Sequence, residues 1–231
     1  MTTITIHQPE YLPYLGFFDR IINADAFVIL DDVNYQKNGF INRNKIKTAD
    51  SWQWLTVPIS NRSPNQKICE VFIDNQKDWK NDHWKALCYN YSKAPFFKNY
   101  ADFFEDVFKR EWTLISDLDV YLIENIIRML GLNKRIGKSS TYNINETATS
   151  RLVNICKKFD ADTYLSGIGG GKYMELEKFQ KENINLVFQD FKHPEYSQGF
   201  MRNGFLANLS IIDLLFNCGP KSIDIILSGS K

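Results

Sequence analysis

The sequence predicts an α/β fold, a Rossmann-like and mainly parallel sheet that carries a β-hairpin and a helical insertion. Three observations lead there. An alternating strand, an amphipathic helix and an unbroken apolar strand follow one another within residues 3–30, the opening of a parallel α/β unit. A long helical stretch then occupies about residues 78–132, and short strands alternating with helices resume after it. The stretch reads as an insertion into a single domain spanning residues 1–231.

Thr3 to Ile6 alternates and ends at His7-Gln8-Pro9, where proline stops the strand and Tyr11-Leu12-Pro13-Tyr14 makes a stiff loop. Leu15, Phe18, Ile21 and Ile22 share one helical face. Ala26-Phe27-Val28-Ile29-Leu30 is apolar throughout, as expected of a strand buried on both faces, and it breaks off at Asp31-Asp32. Residues Asn34 to Lys47 read as a polar, basic loop. Trp52 to Ile59 and Lys67 to Ile73 read as the two strands of an antiparallel hairpin, turning at Asn61-Arg62-Ser63-Pro64-Asn65.

In the insertion, Trp79, His83 and Leu87 are spaced for one face, and Pro95 starts a second segment. Leu114, Leu118, Tyr121, Leu122, Ile126 and Met129 form an amphipathic helix stopped at Gly131. Beyond it come a strand ending at Lys138-Ser139-Ser140, a helix marked by Leu152, Val153 and Cys156, and the strand Thr163-Tyr164-Leu165. A helix from about Tyr173 to Lys181, the strand Asn185 to Phe188, and helices at about 209–216 and 222–227 complete the pattern.

Composition narrows the function classes. The 231 residues, 44% hydrophobic and 24% charged, suit one packed domain and not a disordered chain. A net charge of +1, from 28 basic and 27 acidic residues, offers no global field for nucleic acid or a membrane surface, so any anion site is local. The first six residues lack a basic and apolar leader, and no apolar run nears the ~18 residues that span a bilayer. A cytoplasmic chain without membrane insertion is expected. Cys69, Cys88, Cys156 and Cys218 are scattered without CxxC pairing and there are three histidines, so no metal site is expected and the thiols are read as reduced. Aromatics make up 14%, which suits a core of large side chains; where they surface, a homodimer is one option.

Three polar clusters follow predicted strands: His7-Gln8, Asp31-Asp32 and Ser166-Gly167-Ile168-Gly169-Gly170-Gly171. Ligands of open α/β sheets bind at the carboxyl ends of strands, so if these strands are parallel neighbours, the clusters line one rim. His7 suits general acid–base work, against the alternative of a capping histidine. Asp31 or Asp32 can orient His7, bind a metal or hold an amine, and one of the two is expected to cap a turn. Lys37 to Lys45 is a basic, amide-rich loop whose Arg43 and Lys45 can clamp phosphate, or simply a solvated loop. The glycines before Lys172 can present N–H groups to an anion, but they match neither GxGxxG nor a P-loop. His193 opens a second His-Pro segment, His193-Pro194-Glu195-Tyr196-Ser197-Gln198, as a further acid or base or as a plain loop histidine. No GxSxG nucleophile elbow is present, and Cys156 and Cys218 read as small buried hydrophobes.

His7-Gln8-Pro9-Glu10-Tyr11-Leu12-Pro13-Tyr14-Leu15-Gly16-Phe17-Phe18 resembles the opening motif of the WbqC-like family. Asp31 to Lys37, Asn42-Arg43-Asn44, Tyr164-Leu165-Ser166-Gly167 with Tyr173, and Leu209 to Gly219 resemble its later blocks, in order and over essentially the whole chain. The resemblance implies a role linked to bacterial O-antigen and other surface-polysaccharide gene clusters. A glycine or acyl transfer to an amino sugar has been proposed for a member. The substrates so implied are a nucleotide-linked amino sugar and an activated aminoacyl or acyl donor; no cofactor is named.

Applied to these blocks, the strand-end argument gives His7, Gln8, Asp31, Asp32 and His193 as candidate catalytic residues. It gives Tyr11, Tyr35, Asn42, Arg43, Asn44, Lys45, Ser166, Gly167, Tyr173, Tyr196 and Gln198 as candidate substrate-binding residues. Two other readings stand beside this one. A nucleotidylyltransferase-type fold opens similarly but uses a second histidine where this chain has Leu15-Gly16-Phe17. A non-catalytic sugar-nucleotide binding protein would show the same strand-end polar groups without turnover.

Overall fold

The computed structural model describes residues 1–60, 63–172 and 174–230. The alternating first segment forms β1 (Thr3–His7), helix α1 spans Leu15–Ile22, and the apolar run forms β2 (Ala26–Ile29), parallel to β1. An antiparallel pair, β3 (Arg43–Lys47) and β4 (Trp52–Thr56), follows as a separate sheet. The insertion holds α2 (Trp79–Tyr91), α3 (Phe97–Lys109) and α4 (Ile115–Met129). Then come β5 (Arg135–Lys138), α5 (Ala148–Lys158), β6 (Thr163–Ser166), α6 (Leu176–Lys181), β7 (Asn185–Phe188), α7 (Ile211–Cys218) and α8 (Ser222–Ser228).

The main sheet runs β5-β2-β1-β6-β7 with every pair parallel. Counted along the chain, its strands lie in the order 3-2-1-4-5. The winding direction therefore reverses at β1, and the topological switch point falls between β1 and β6, where open α/β sheets bind ligands.

Strand alternation divides the core. Ile4, Ile6, Ala26 and Val28 pack with Leu152, Ile155, Cys156 and Phe179 on the α5–α6 side. Phe27 and Ile29 pack with Phe17 and Phe18 of α1 and with the insertion helices on the other. Phe216 of α7 locks the insertion to this second core, with ring centroids 5.1 to 5.6 Å from those of Phe97, Tyr91 and Phe104.

The strand expected from Trp52 forms, but it pairs with a different partner than the sequence predicts. The hairpin's first strand is Arg43–Lys47, inside the expected basic loop, and its second is Trp52–Thr56. The alternation is there, but it is polar. Asn44 and Ile46 face inward, while Arg43 and Lys45 lie over the rings of Trp54 and Trp52, 4.4 and 4.2 Å from their centroids. The stretch 67–73, expected as a strand, is a 3₁₀ turn at Ile68–Glu70 flanked by isolated bridges to Asn34, Ile59 and Leu114. Asn61 and Arg62 of the expected turn lie outside the described residues. The helix expected from Tyr173 begins at Leu176.

The hairpin clamps the loop after β1. Tyr11 N–H donates to Phe40 O at 2.9 Å, and Asn44 Nδ2 donates to Leu12 O at 2.8 Å. On the far side, Ile211 N–H donates to Pro13 O at 2.8 Å. These bonds hold Leu12 at φ 48°, a left-handed conformation that bulky side chains rarely adopt. Among the described residues, no helix is long and apolar enough to cross a membrane.

Candidate functional site

β1 lies between β2 and β6, about 4.8 Å from each. The three polar clusters therefore share the carboxyl rim of adjacent parallel strands. His7 and Gln8 close β1 and, being consecutive, line different clefts. His7 faces the switch-point cleft, about 310 Å³, lined with Tyr14, Arg20, Tyr164, Ser166 to Gly170 and Gln189. Gln8 faces a polar cleft of about 610 Å³ at the ends of β2 and β5, lined by Asp32, Asn34, Gln36, Lys67, Ser140, Asn145 and Arg151 among others.

The His7 ring stands edge-on to Phe17 at 5.3 Å, and its Nδ1 sits 2.9 Å from Gln8 O. A carbonyl only accepts, so Nδ1 carries the proton and Nε2 keeps its lone pair. Nε2 makes no hydrogen bond to a described residue. Although the side chain is 33% exposed, burial and then the Arg20 charge lower its pKa to about 3, so the ring is neutral at physiological pH.

Glu10 Oε1 lies 3.8 Å from His7 Nδ1, and Glu10 Oε2 is buried without a hydrogen-bond partner among the described residues. Burial raises the Glu10 pKa to about 7 against the opposing pull of Arg20. Behind it, Asp119 of α4 is fully buried, and neither of its oxygens has a hydrogen-bond partner among the described residues. Burial, then the charge of Glu10, hold its carboxyl well above the usual range. Arg20 is 4% exposed and its Nε has no partner among the described residues.

Local structure fixes these groups. The clamped loop carries Glu10. Gly16 leaves room for the Tyr14 ring, which a Cβ there would approach to 2.6 Å. Gln189, just beyond β7, donates to Gly16 O at 2.8 Å and to the Asp19 carboxylate, tying the β7 end to α1.

Asp31 and Asp32 divide their roles. Asp31 is buried and accepts from Ser139 Oγ at 3.2 Å and from Ser140 N and Oγ at 2.9 and 2.7 Å, capping the turn after β5. Asp32 pairs with Arg151 and with Ser139 Oγ on the wall of the larger cleft. Ser166 and Gly167 line the switch-point cleft, while Tyr173 lies outside the described residues.

The remaining candidates sit elsewhere. Tyr11 is buried, its hydroxyl 2.9 Å from His83 Nδ1. Tyr35 donates to Asn42 Oδ1, Asn42 to Val57 O, and Asn44 to Leu12 O, so these amides brace the hairpin and the loop it clamps. Arg43 and Lys45 lie on the tryptophan face of the hairpin, and Arg43 also donates to Gly39 O and Asn38 O. His193 bonds Pro194 O through Nδ1 and stacks on Tyr196, with burial lowering its pKa. Tyr196 and Gln198 belong to a buried network with Lys47, Tyr91 and Asp213. The rim thus gathers His7, Gln8, Asp31, Asp32, Ser166 and Gly167.

Glu10, Arg20, Asp119, Gln189 and Arg151 are additions that strand ends alone do not reveal. Glu10 stands three residues beyond His7 in the same motif. Arg20 lies opposite the apolar face of α1, yet it is buried beside Gly167 and Phe17. Among the described residues, no group of three or more His, Cys, Asp or Glu is placed to hold a metal ion. Cys69 lines the larger cleft, but burial, then nearby Asp31, raise its pKa and keep it a thiol.

The two central titrations have opposite signs. Glu10 holds its proton more tightly folded than unfolded, so its contribution is fully present below pH 4.5 and is lost as pH rises through about 7. His7 does the reverse, its contribution being present above 6.5 and lost as pH falls towards about 3. Between 4.5 and 6.5 they offset each other. Glu10→Gln is therefore expected to remove the decline towards pH 7 and to expose the His7 slope. Urea denaturation at a series of pH values checks this; parallel curves for the two proteins would refute it.

A family model described as the WbqC-like protein family matches residues 8–225 of the chain. An uncharacterized protein of Mycobacterium tuberculosis is 37% identical over 227 residues, which cover 97% of this chain and 97% of that protein. No solved structure matches the chain.

Proposed function

The chain belongs to the WbqC-like protein family, and from that premise we propose that it is a transferase of bacterial surface-polysaccharide synthesis. It joins an activated glycyl, aminoacyl or acyl donor to the amine of a nucleotide-linked amino sugar. The observation that carries this reading is a neutral His7 with a free Nε2, set beside a Glu10 that titrates near pH 7, at the switch point of a parallel sheet. Amide formation needs such a pair, a neutral base to take a proton and a group able to hold charge in the working pH range.

The step runs as follows. The sugar amine attacks the donor carbonyl carbon, a C–N bond forms, and the carbonyl oxygen takes on negative charge. His7 Nε2 accepts the amine proton, and the Glu10 carboxylate, 3.8 Å from the other ring nitrogen, balances the imidazolium. Collapse breaks the bond from carbonyl carbon to leaving group, and the proton passes from His7 to that group. Asp32, Asn34 and Asn145 in the larger cleft offer acceptors and amides for sugar hydroxyls.

The test is direct. The purified chain is incubated with UDP-, dTDP- and GDP-linked amino sugars and with thioester, acyl-phosphate and acyl-adenylate donors, and products are weighed by mass spectrometry. An N-acylated sugar nucleotide is expected. Release of pyrophosphate from ATP without any amide would instead favour adenylyl transfer, and ligand binding without any product would favour a non-catalytic sugar-nucleotide protein.

A further inference from the structure

We propose that Arg20 and the backbone of the turn from Gly167 to Gly169 form a subsite for a phosphate group in the switch-point cleft. Arg20 is the first observation. Its guanidinium cannot lose its charge, is 4% exposed, and makes no hydrogen bond or ion pair within 4 Å with any described residue. Glu10 feels its field, yet no ion pair within 4 Å joins the two side chains. Apart from the Phe17 ring, whose centroid lies 5.8 Å from its Cζ, this buried charge has no partner among the described residues, and it calls for one from outside the chain.

The turn is the second. Gly167 lies against Arg20, and a Cβ built on it would stand 3.4 Å from Arg20 Nη1, while one built on Gly169 would meet open space. Neither Gly167 nor Gly169 has positive φ, so what the missing side chain supplies there is space. The N–H groups of Gly167, Ile168 and Gly169 have no hydrogen-bond partner among the described residues. A planar fork of donors facing successive free N–H groups suits a tetrahedral oxyanion with several oxygens to share. A planar carboxylate has only two.

The phosphate has two possible sources, the diphosphate of a sugar nucleotide and the phosphate of an activated donor. The inference does not need the transfer reaction, because binding is measured without turnover. Isothermal titration uses inorganic pyrophosphate first, then UDP, ADP and coenzyme A in separate arms. Pyrophosphate is expected to bind the wild-type chain at millimolar concentration or below, with an affinity that falls as salt rises. Arg20→Gln should weaken it about tenfold or more. Gly167→Val keeps Arg20 but fills the space before it, and should cause a similar loss with an unchanged melting temperature. UDP binding tighter than ADP and coenzyme A assigns the phosphate to the sugar nucleotide, and the reverse assigns it to the donor. No pyrophosphate binding to the wild-type chain, or equal binding to all three proteins, overturns the site. A failed amide assay with pyrophosphate binding intact would sink the transferase reading alone.

Discussion

Replacing His7 with asparagine is expected to lower amide formation by about 10²–10⁴-fold, the usual contribution of a positioned acid or base. The melting temperature should change little, because the ring is partly exposed and its Nε2 bonds none of the described residues. Loss of the Nε2 lone pair leaves the attacking amine without a proton acceptor, while Gln8, Asp32 and the glycine turn stay in place. The fall should therefore appear in kcat rather than KM. Steady-state kinetics on the product found in the transfer assay measure this. A variant with unchanged kcat would assign His7 a structural role at the end of β1.

Asp213→Ala should have the largest effect on stability, a loss of about 3–5 kcal/mol, as for a buried polar network deprived of its central acceptor. Asp213 is fully buried and accepts from Tyr91 and Tyr196 hydroxyls, each at 2.9 Å. Lys47, also buried, extends the network to Gln198 Oε1 at 2.9 Å and Gly204 O at 2.7 Å. Removing the carboxyl strands two hydroxyls and deprives Lys47 of its opposing charge, which counters the burial that lowers the lysine's pKa. Asp213→Asn, which keeps one acceptor, should lose less. Chemical denaturation reads both, and a loss below about 1 kcal/mol for Asp213→Ala would contradict the account.

The strands of the main sheet are legible in the sequence, β2 most plainly, because a strand buried on both faces needs a short apolar run and Ala26 to Ile29 is nothing else. Their carboxyl ends are legible too, since polar residues follow at once. The hairpin is not. In Arg43–Lys47 the inward positions are partly polar, and the outward charges rest on indoles contributed by the next strand, so the period is hidden from any hydrophobic count.

Arg20 illustrates a second limit. The face Leu15, Phe18, Ile21, Ile22 is correct, but Arg20, opposite that face, is buried too, beside Gly167 and Phe17. A charge outside the apolar face is thereby enclosed. Asp31 and Asp32 look equivalent in the sequence, and only the position of Ser139 and Ser140 in the turn after the neighbouring strand makes one a cap and points the other towards a cleft. The amides Asn42 and Asn44, which resemble ligand-binding groups, hold backbone carbonyls that are distant in sequence.

The central claim is that substrate sits on the carboxyl rim around β1. Titrating isotope-labelled protein with a UDP-linked amino sugar and mapping the backbone amide shifts tests it most directly. The account predicts the largest changes at His7, Gln8 and Gly167 to Gly169, reaching Asn34 or Ser140 in the larger cleft. Changes confined to Arg43, Lys45, Trp52 and Trp54 on the hairpin, or none at all, would contradict it.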